Sequence, residues 1–238
     1  MGVLGNTHIA ASIHSEFDRW WHSLGQWVEP ANQRRGGESG VLLLQAQTPA
    51  GMSLYCKRQS GHLYRSLLHP FGRPTILREV RAYRALARLG ICVPKLVYHA
   101  ARRVQGQWQA VLVTEALQGY VSLQQLYADA PSDALRHAVL HQLAITLARL
   151  HLGGWQHGCC YPKHIFVKVS QIPSAAPPVD IALLDLEKSR QRMRIQAASR
   201  HDLRQLTRHR GAIPEEDLLY LHLTYLRALN GPIEERQP

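Results

Sequence analysis

Apolar residues recur along this chain with two periods, and the periods change part-way through it. Short apolar or alternating runs in the first half predict strands at Val41 to Leu44, Ser53 to Arg58, Pro94 to His99 and Gln109 to Glu115. The first two read as a hairpin turned at Pro49-Ala50-Gly51 and preceded by the glycine-rich stretch Arg34 to Gly40. Spacings of three and four predict helices. One runs from Glu16 to Val28 with Phe17, Trp20, Trp21, Leu24 and Trp27 on one stripe, which reads as core. Another follows Thr75, a candidate cap, with Leu77, Val80, Tyr83, Leu86 and Leu89 leading to Gly90. Pro70 to Pro74 reads as a loop.

Beyond Gly119 the helical period dominates. Helices are expected at Leu123 to Ala128, at Asp133 to Leu152, around Arg200 to Arg210, and at Glu215 to Leu229. Ser132 supplies an N-cap for the second of these, and Gly153-Gly154 end it. Short strands at Ile165 to Val167 and Val179 to Leu184 flank a Pro- and Ala-rich loop, Pro173 to Pro178. Strands first and helices second predict an α+β, two-lobed protein. The N-lobe, residues 1–118, holds an antiparallel sheet plus one helix. The C-lobe, residues 119–238, is mainly helical, with a hinge near Glu115 to Tyr120.

Composition narrows the class without naming a function. With 238 residues, 45% hydrophobic and 19% charged, the chain has the make-up of an ordinary globular protein. Its longest apolar runs fall well short of the roughly 20 residues a membrane span needs, and no secretory signal is evident. Cys56, Cys92, Cys159 and Cys160 form no spaced disulfide framework, so a reducing cytoplasm is expected. The formal charge of +11 includes the run Lys188, Arg190, Arg192, Arg194, Arg200, Arg204, Arg208 and Arg210. Such a surface attracts phosphate-rich partners.

Candidate chemistry lies in an ordered series of residues. Gly36, Gly37 and Gly40 would let backbone N–H groups approach phosphates. Lys57, on the next strand, could reach phosphate oxygens, and Glu79 on the following helix could hold its ammonium. His157-Gly158-Cys159 through His164 has the layout of a kinase catalytic loop, and Asp185 ends a buried strand as a magnesium ligand would. Phosphoryl transfer needs these parts: cations and donors for phosphates, carboxylates for metal, and an oriented hydroxyl.

The chain resembles the lipopolysaccharide core (heptose and Kdo) kinases, within them the InaA-type branch. The residues that carry the likeness are Phe71-Gly72-Arg73-Pro74-Thr75 leading to Arg78-Glu79, the run Tyr161 to Val167, and Asp185 to Arg190. The resemblance implies a protein-kinase-like fold, with ATP and Mg2+ as cofactors. The acceptor it implies is a sugar hydroxyl of the lipopolysaccharide inner core or a related phosphoglycolipid. It assigns Asp185 and His164 to the metal, and Gly36, Gly37, Gly40, Lys57, Glu79 and Glu115 to the nucleotide. Cys159, His157 and Lys163 fall in the catalytic loop. Asp202 would anchor that loop from the next helix. Peripheral contact with an anionic inner membrane is expected, and no specific nucleic acid.

Cys159 departs from the kinase pattern, since it stands where a carboxylate usually orients the attacking hydroxyl. A thiol accepts hydrogen bonds weakly and is mostly neutral at pH 7. Glu187 is one substitute carboxylate. The alternative is a pseudokinase that binds nucleotide or phosphoglycolipid without transfer, in an envelope-stress response. The same loop admits two other readings: a Cys nucleophile activated by His157 or His151, and a zinc site of His157, Cys159, Cys160 and His164. Nucleic-acid binding has only the charge behind it.

Overall fold

The computed structural model describes residues 16–34, 36–45, 51–67, 69–170 and 178–231. The chain divides into two compact units. Residues 1–80 and 95–116 form the first, and residues 81–94 and 117–238 the second. The expected turn residues Pro49 and Ala50, most of the Pro- and Ala-rich loop, and Arg35 lie outside the described residues.

The first unit is built on a five-stranded antiparallel sheet in the order β1-β2-β3-β7-β6. Its strands are β1 (Gln26–Arg34), β2 (Gly37–Gln45), β3 (Ser53–Ser60), β6 (Leu96–Val104) and β7 (Gln107–Glu115). Alternation in β2 and β3 turns Leu42, Leu44, Leu54 and Cys56 inward, where they meet Val111 and Val113 of β7. A helical segment at residues 16–21, α1, closes this core with Phe17, Trp20 and Trp21. The aromatic stripe is therefore core over that span, as its spacing suggests.

The expected helix to Val28 is not formed. Helix α1 stops at 21, Leu24 is exposed, and Trp27 lies on β1 with its ring over Gly40. The glycine stretch thus joins β1 to β2, a strand earlier than the pattern suggests. The segment read as a loop at Pro70 to Pro74 is also a strand. Here β5 (His69–Pro74) pairs with β4 (Leu63–Ser66) in a two-stranded ribbon.

Helix α2 (Thr75–Arg88) follows directly. Thr75 is the first residue of the helix itself. The carboxamide of Gln59 on β3 accepts from both Thr75 Oγ1 (2.8 Å) and the Ile76 N–H (3.2 Å), so a residue of the sheet satisfies an orphan donor of the helix start.

The second unit is mainly helical: α3 (Leu123–Ala128), α4 (Asp133–Leu152), α5 (Ile195–Arg208) and α6 (Glu215–Asn230). Ser132 caps α4 through the Leu135 N–H, and Gly153 stands at its C-cap, both as the sequence indicates. Leu140, Leu143, Leu147 and Leu150 of α4 are fully buried, and the helix packs on α6 and on β11 (Val179–Leu183). Strand β11 pairs antiparallel with β10 (Ile165–Val169), which pairs in turn with β8 (Val121–Ser122). The short β9 (Trp155–Gln156) and β12 (Arg190–Gln191) form the remaining pair. Among the described residues no helix is long and apolar enough to cross a membrane.

Candidate active site

In the first unit, β2 and β3 pair in register, with Val41 opposite Lys57. Lys57 Nζ donates to Glu79 Oε2 of α2 at 2.8 Å, and both side chains are largely shielded, 16% and 4% exposed. A shielded pair of this kind is not ordinary surface charge, since burying either partner alone would be costly. Glu115, at the end of β7, is ion-paired with Lys95 at 2.9 Å.

The glycines do several things. Gly36 sits in the β1–β2 turn at φ +71° with open space where a Cβ would go. Gly37 is pressed on the backbone of Gly61 and His62, where a Cβ would come within 2.3 Å of the His62 nitrogen. Gly40 lies under the Trp27 ring. Close packing of the sheet therefore already requires Gly37 and Gly40.

In the second unit the β10–β11 hairpin brings two distant residues together. Ile165 pairs with Leu183, and the Leu184 N–H donates to the His164 carbonyl at 2.9 Å. His164 thus stands opposite Leu184, one residue before Asp185, and the His164 and Asp185 side chains meet at 3.5 Å. Asp185 has φ +55°, a left-handed conformation that Asp tolerates better than most residues, and it precedes the 3-10 turn Leu186–Lys188. Its side chain makes no cap bond to that turn. The commonest structural use of an Asp after a strand is therefore not its use here.

His164 Nδ1 lies 2.9 Å from the Cys159 carbonyl. That bond needs the proton on Nδ1, which leaves the lone pair of a neutral ring on Nε2, the nitrogen free to take a ligand.

The loop that carries Cys159 is held from behind by Asp202 of α5. Buried completely, its carboxylate accepts from the N–H groups of His157 (2.6 Å) and Gly158 (2.9 Å) and bonds the rings of His151 (3.1 Å) and His201 (3.1 Å). Burial alone would raise its pKa, but the His151 bond, the His157 ring and the Gly158 N–H outweigh that and hold it below the ordinary carboxylate value. His151 Nδ1 is in turn 2.7 Å from the Tyr225 hydroxyl of α6. Ser189 Oγ donates to the His157 carbonyl at 2.7 Å. Gly158, at φ +84°, passes so close to Lys188 that a Cβ would lie 2.6 Å from its carbonyl oxygen. Asp202 is thus the anchor the sequence suggests, while His151 and Ser189 join it as fasteners that carry no local sequence signal.

Cys159 is 2% exposed. Burial first, then the Asp185 carboxylate to which the thiol is hydrogen-bonded, push its pKa up to about 12. Burial likewise raises Cys160 and keeps the His157 ring below its ordinary value. A protonated thiol is neither a base nor a nucleophile, so the Cys-nucleophile reading finds no support in this geometry. The zinc set does not assemble either: among the described residues no three His, Cys, Asp or Glu side chains are placed to share a metal ion. Lys163 is exposed on the 3-10 turn Pro162–His164.

Residues 18–225 match the model of the lipopolysaccharide kinase (Kdo/WaaP) family. The chain belongs to this family. Protein InaA of Escherichia coli strain K12 is 43% identical over 208 residues, covering 86% of this chain and 92% of that protein. A solved structure of WaaP in complex with acyl carrier protein superposes with a TM-score of 0.65 over 92% of this chain and 84% of the other, at 20% identity. That likeness gives the fold, a kinase-like one with an N-terminal antiparallel sheet and helix and a helical C-terminal part. Kinase membership implies ATP as the phosphoryl donor.

Proposed function

We propose that this family member is an active ATP-dependent phosphotransferase whose acceptor is a sugar hydroxyl of the lipopolysaccharide inner core or of a related phosphoglycolipid. The observation that carries the reading is Asp185: a carboxylate held in a left-handed turn, not used for capping, and set beside the His164 ring, 3.5 Å from its Nδ1. Lys57, oriented by Glu79, would hold phosphate oxygens, with the Gly36 turn presenting main chain beside the nucleotide. Glu115 is placed with the nucleotide by resemblance only.

Asp185 and His164 fit Mg2+, which commonly takes few protein ligands and completes its shell with water and substrate phosphates. When bound, Mg2+ would neutralise charge on the transferred phosphoryl group. The protein's own contribution is positioning. The acceptor oxygen forms a bond to the γ-phosphorus, the bond to ADP breaks, and the hydroxyl proton passes late to an oxygen of the transferred phosphoryl group or to solvent. In such a loose transition state a strong base at position 159 is not required.

The buried thiol also favours a second reading, in which the protein binds nucleotide or phosphoglycolipid without transferring phosphate. Labelled ATP, Mg2+ and purified inner-core lipopolysaccharide separate the two. Label in the glycolipid, lost in Lys57→Met, supports the transferase. Binding of ATP with no label transferred supports the second reading.

A further inference from the structure

The β4–β5 ribbon carries two of the three most exposed large apolar side chains among the described residues of the first unit, the third being Leu24 between α1 and β1. Leu67 at its turn is 102% exposed and Phe71 on β5 is 88% exposed. Isolated exposed apolar residues are common, but two on one narrow ribbon call for a reason. The ribbon is well built at its base. Tyr64 meets His69 edge to face, Arg78 lies over the Tyr64 ring at 4.8 Å, and Arg73 bonds His69 at 3.2 Å. Gly72, at φ +87°, packs on the Leu63 side chain. The fold therefore holds Leu67 and Phe71 outward on a supported stem. Arg65 and Arg73, both exposed, flank them.

We infer that this ribbon docks the protein on an anionic membrane surface, with Leu67 and Phe71 entering the acyl boundary and Arg65 and Arg73 meeting lipid phosphates. Apolar tips bordered by cations are what an anionic lipid interface selects, and the chain's net charge of +11 has the complementary sign. A protein partner fits less well. Leu67 and Phe71 together offer roughly 300 Å², against the approximately 800 Å² per partner of a stable protein interface. The inference rests on the glycolipid-acceptor reading for the source of the membrane. Its test uses neither ATP nor transfer, so the two fail separately.

The full-length protein is sedimented with vesicles of phosphatidylcholine and phosphatidylglycerol in equal parts, and with phosphatidylcholine alone. Binding to the mixed vesicles is expected to fall about tenfold or more in Leu67→Ser/Phe71→Ser, with ATP affinity and melting temperature unchanged, and to return in Leu67→Trp/Phe71→Trp. Three results would overturn the inference. The wild type does not sediment with anionic vesicles, the serine variant sediments as well as the wild type, or the ribbon binds soluble acyl carrier protein and no vesicle. A loss seen only in Arg200→Glu/Arg204→Glu/Arg208→Glu belongs to the second of these.

Discussion

The proton on Cys159 is hard to remove because burial and the neighbouring Asp185 carboxylate both oppose a thiolate. A residue that stays protonated can orient Asp185 by donating to it, but it cannot take a proton from an acceptor hydroxyl. Cys159→Ser, which keeps a donor of similar size, is therefore expected to leave phosphoryl transfer within about threefold. The pH–rate profile should show no thiol-like inflection in either protein. A rise in wild-type rate through the ordinary thiol range, abolished by the serine, would mean that the thiolate acts. Iodoacetamide should spare Cys159 and modify the exposed Cys92 first.

Among the elements, Gln59 links two parts that the proposed chemistry needs in register. It lies two residues from Lys57 on β3 and closes the start of α2, which bears Glu79. Gln59→Ala leaves the Ile76 N–H and the Thr75 hydroxyl without this acceptor, at an expected cost of about 2 kcal/mol. A melting temperature lower by roughly 5 °C, with weakened ATP binding, is the expected outcome. A variant as stable as the wild type would mean water replaces the bond.

Nothing in the local sequence marks Gln59, because its partners lie on another element. The same holds for His151 and Ser189, polar side chains buried by tertiary contacts. Helices α4 and α6 were legible because they are long and flanked by clear start and stop signals, Ser132 and Gly153-Gly154 for α4 and Pro214 and Gly231 for α6. Strand β1 was not. It is an edge strand that contains Pro30, has two register shifts and leaves Trp27 and Val28 half exposed, so it shows no alternation to read. Strand β5 begins and ends among prolines and a glycine, the composition of a turn. His164 and Asp185 were legible as candidates, each at the edge of an apolar run. Their meeting depends on the β10–β11 register, which spacing alone does not fix.

At the scale of the whole molecule, buried titratable groups set a pH window for stability. His157 and His222 have folded pKa values below their ordinary 6.5, chiefly through burial. The unfolded chain binds protons there before the folded one does, so their contribution is present above about pH 6.5 and is lost as pH falls further. Asp202, also depressed, adds a loss at lower pH. Cys159, Cys160 and Tyr225 are raised, so their contribution is complete below their ordinary values of 9.0 and 10.0 and is lost as pH rises toward the folded values. Calorimetric melting temperature should therefore be highest between about pH 6.5 and 9 and fall on both sides. A steady rise to pH 10 would contradict the buried thiols.

The measurement that bears most directly on the proposed chemistry is ATP binding by titration calorimetry, with and without Mg2+, for the wild type and Asp185→Ala. The expected result is binding that Mg2+ strengthens in the wild type and does not strengthen in Asp185→Ala, where the carboxylate is gone while His164 and Lys57 remain. Equal, magnesium-dependent affinity in both proteins would remove Asp185 from the metal site, and no binding by the wild type would contradict the phosphotransferase itself.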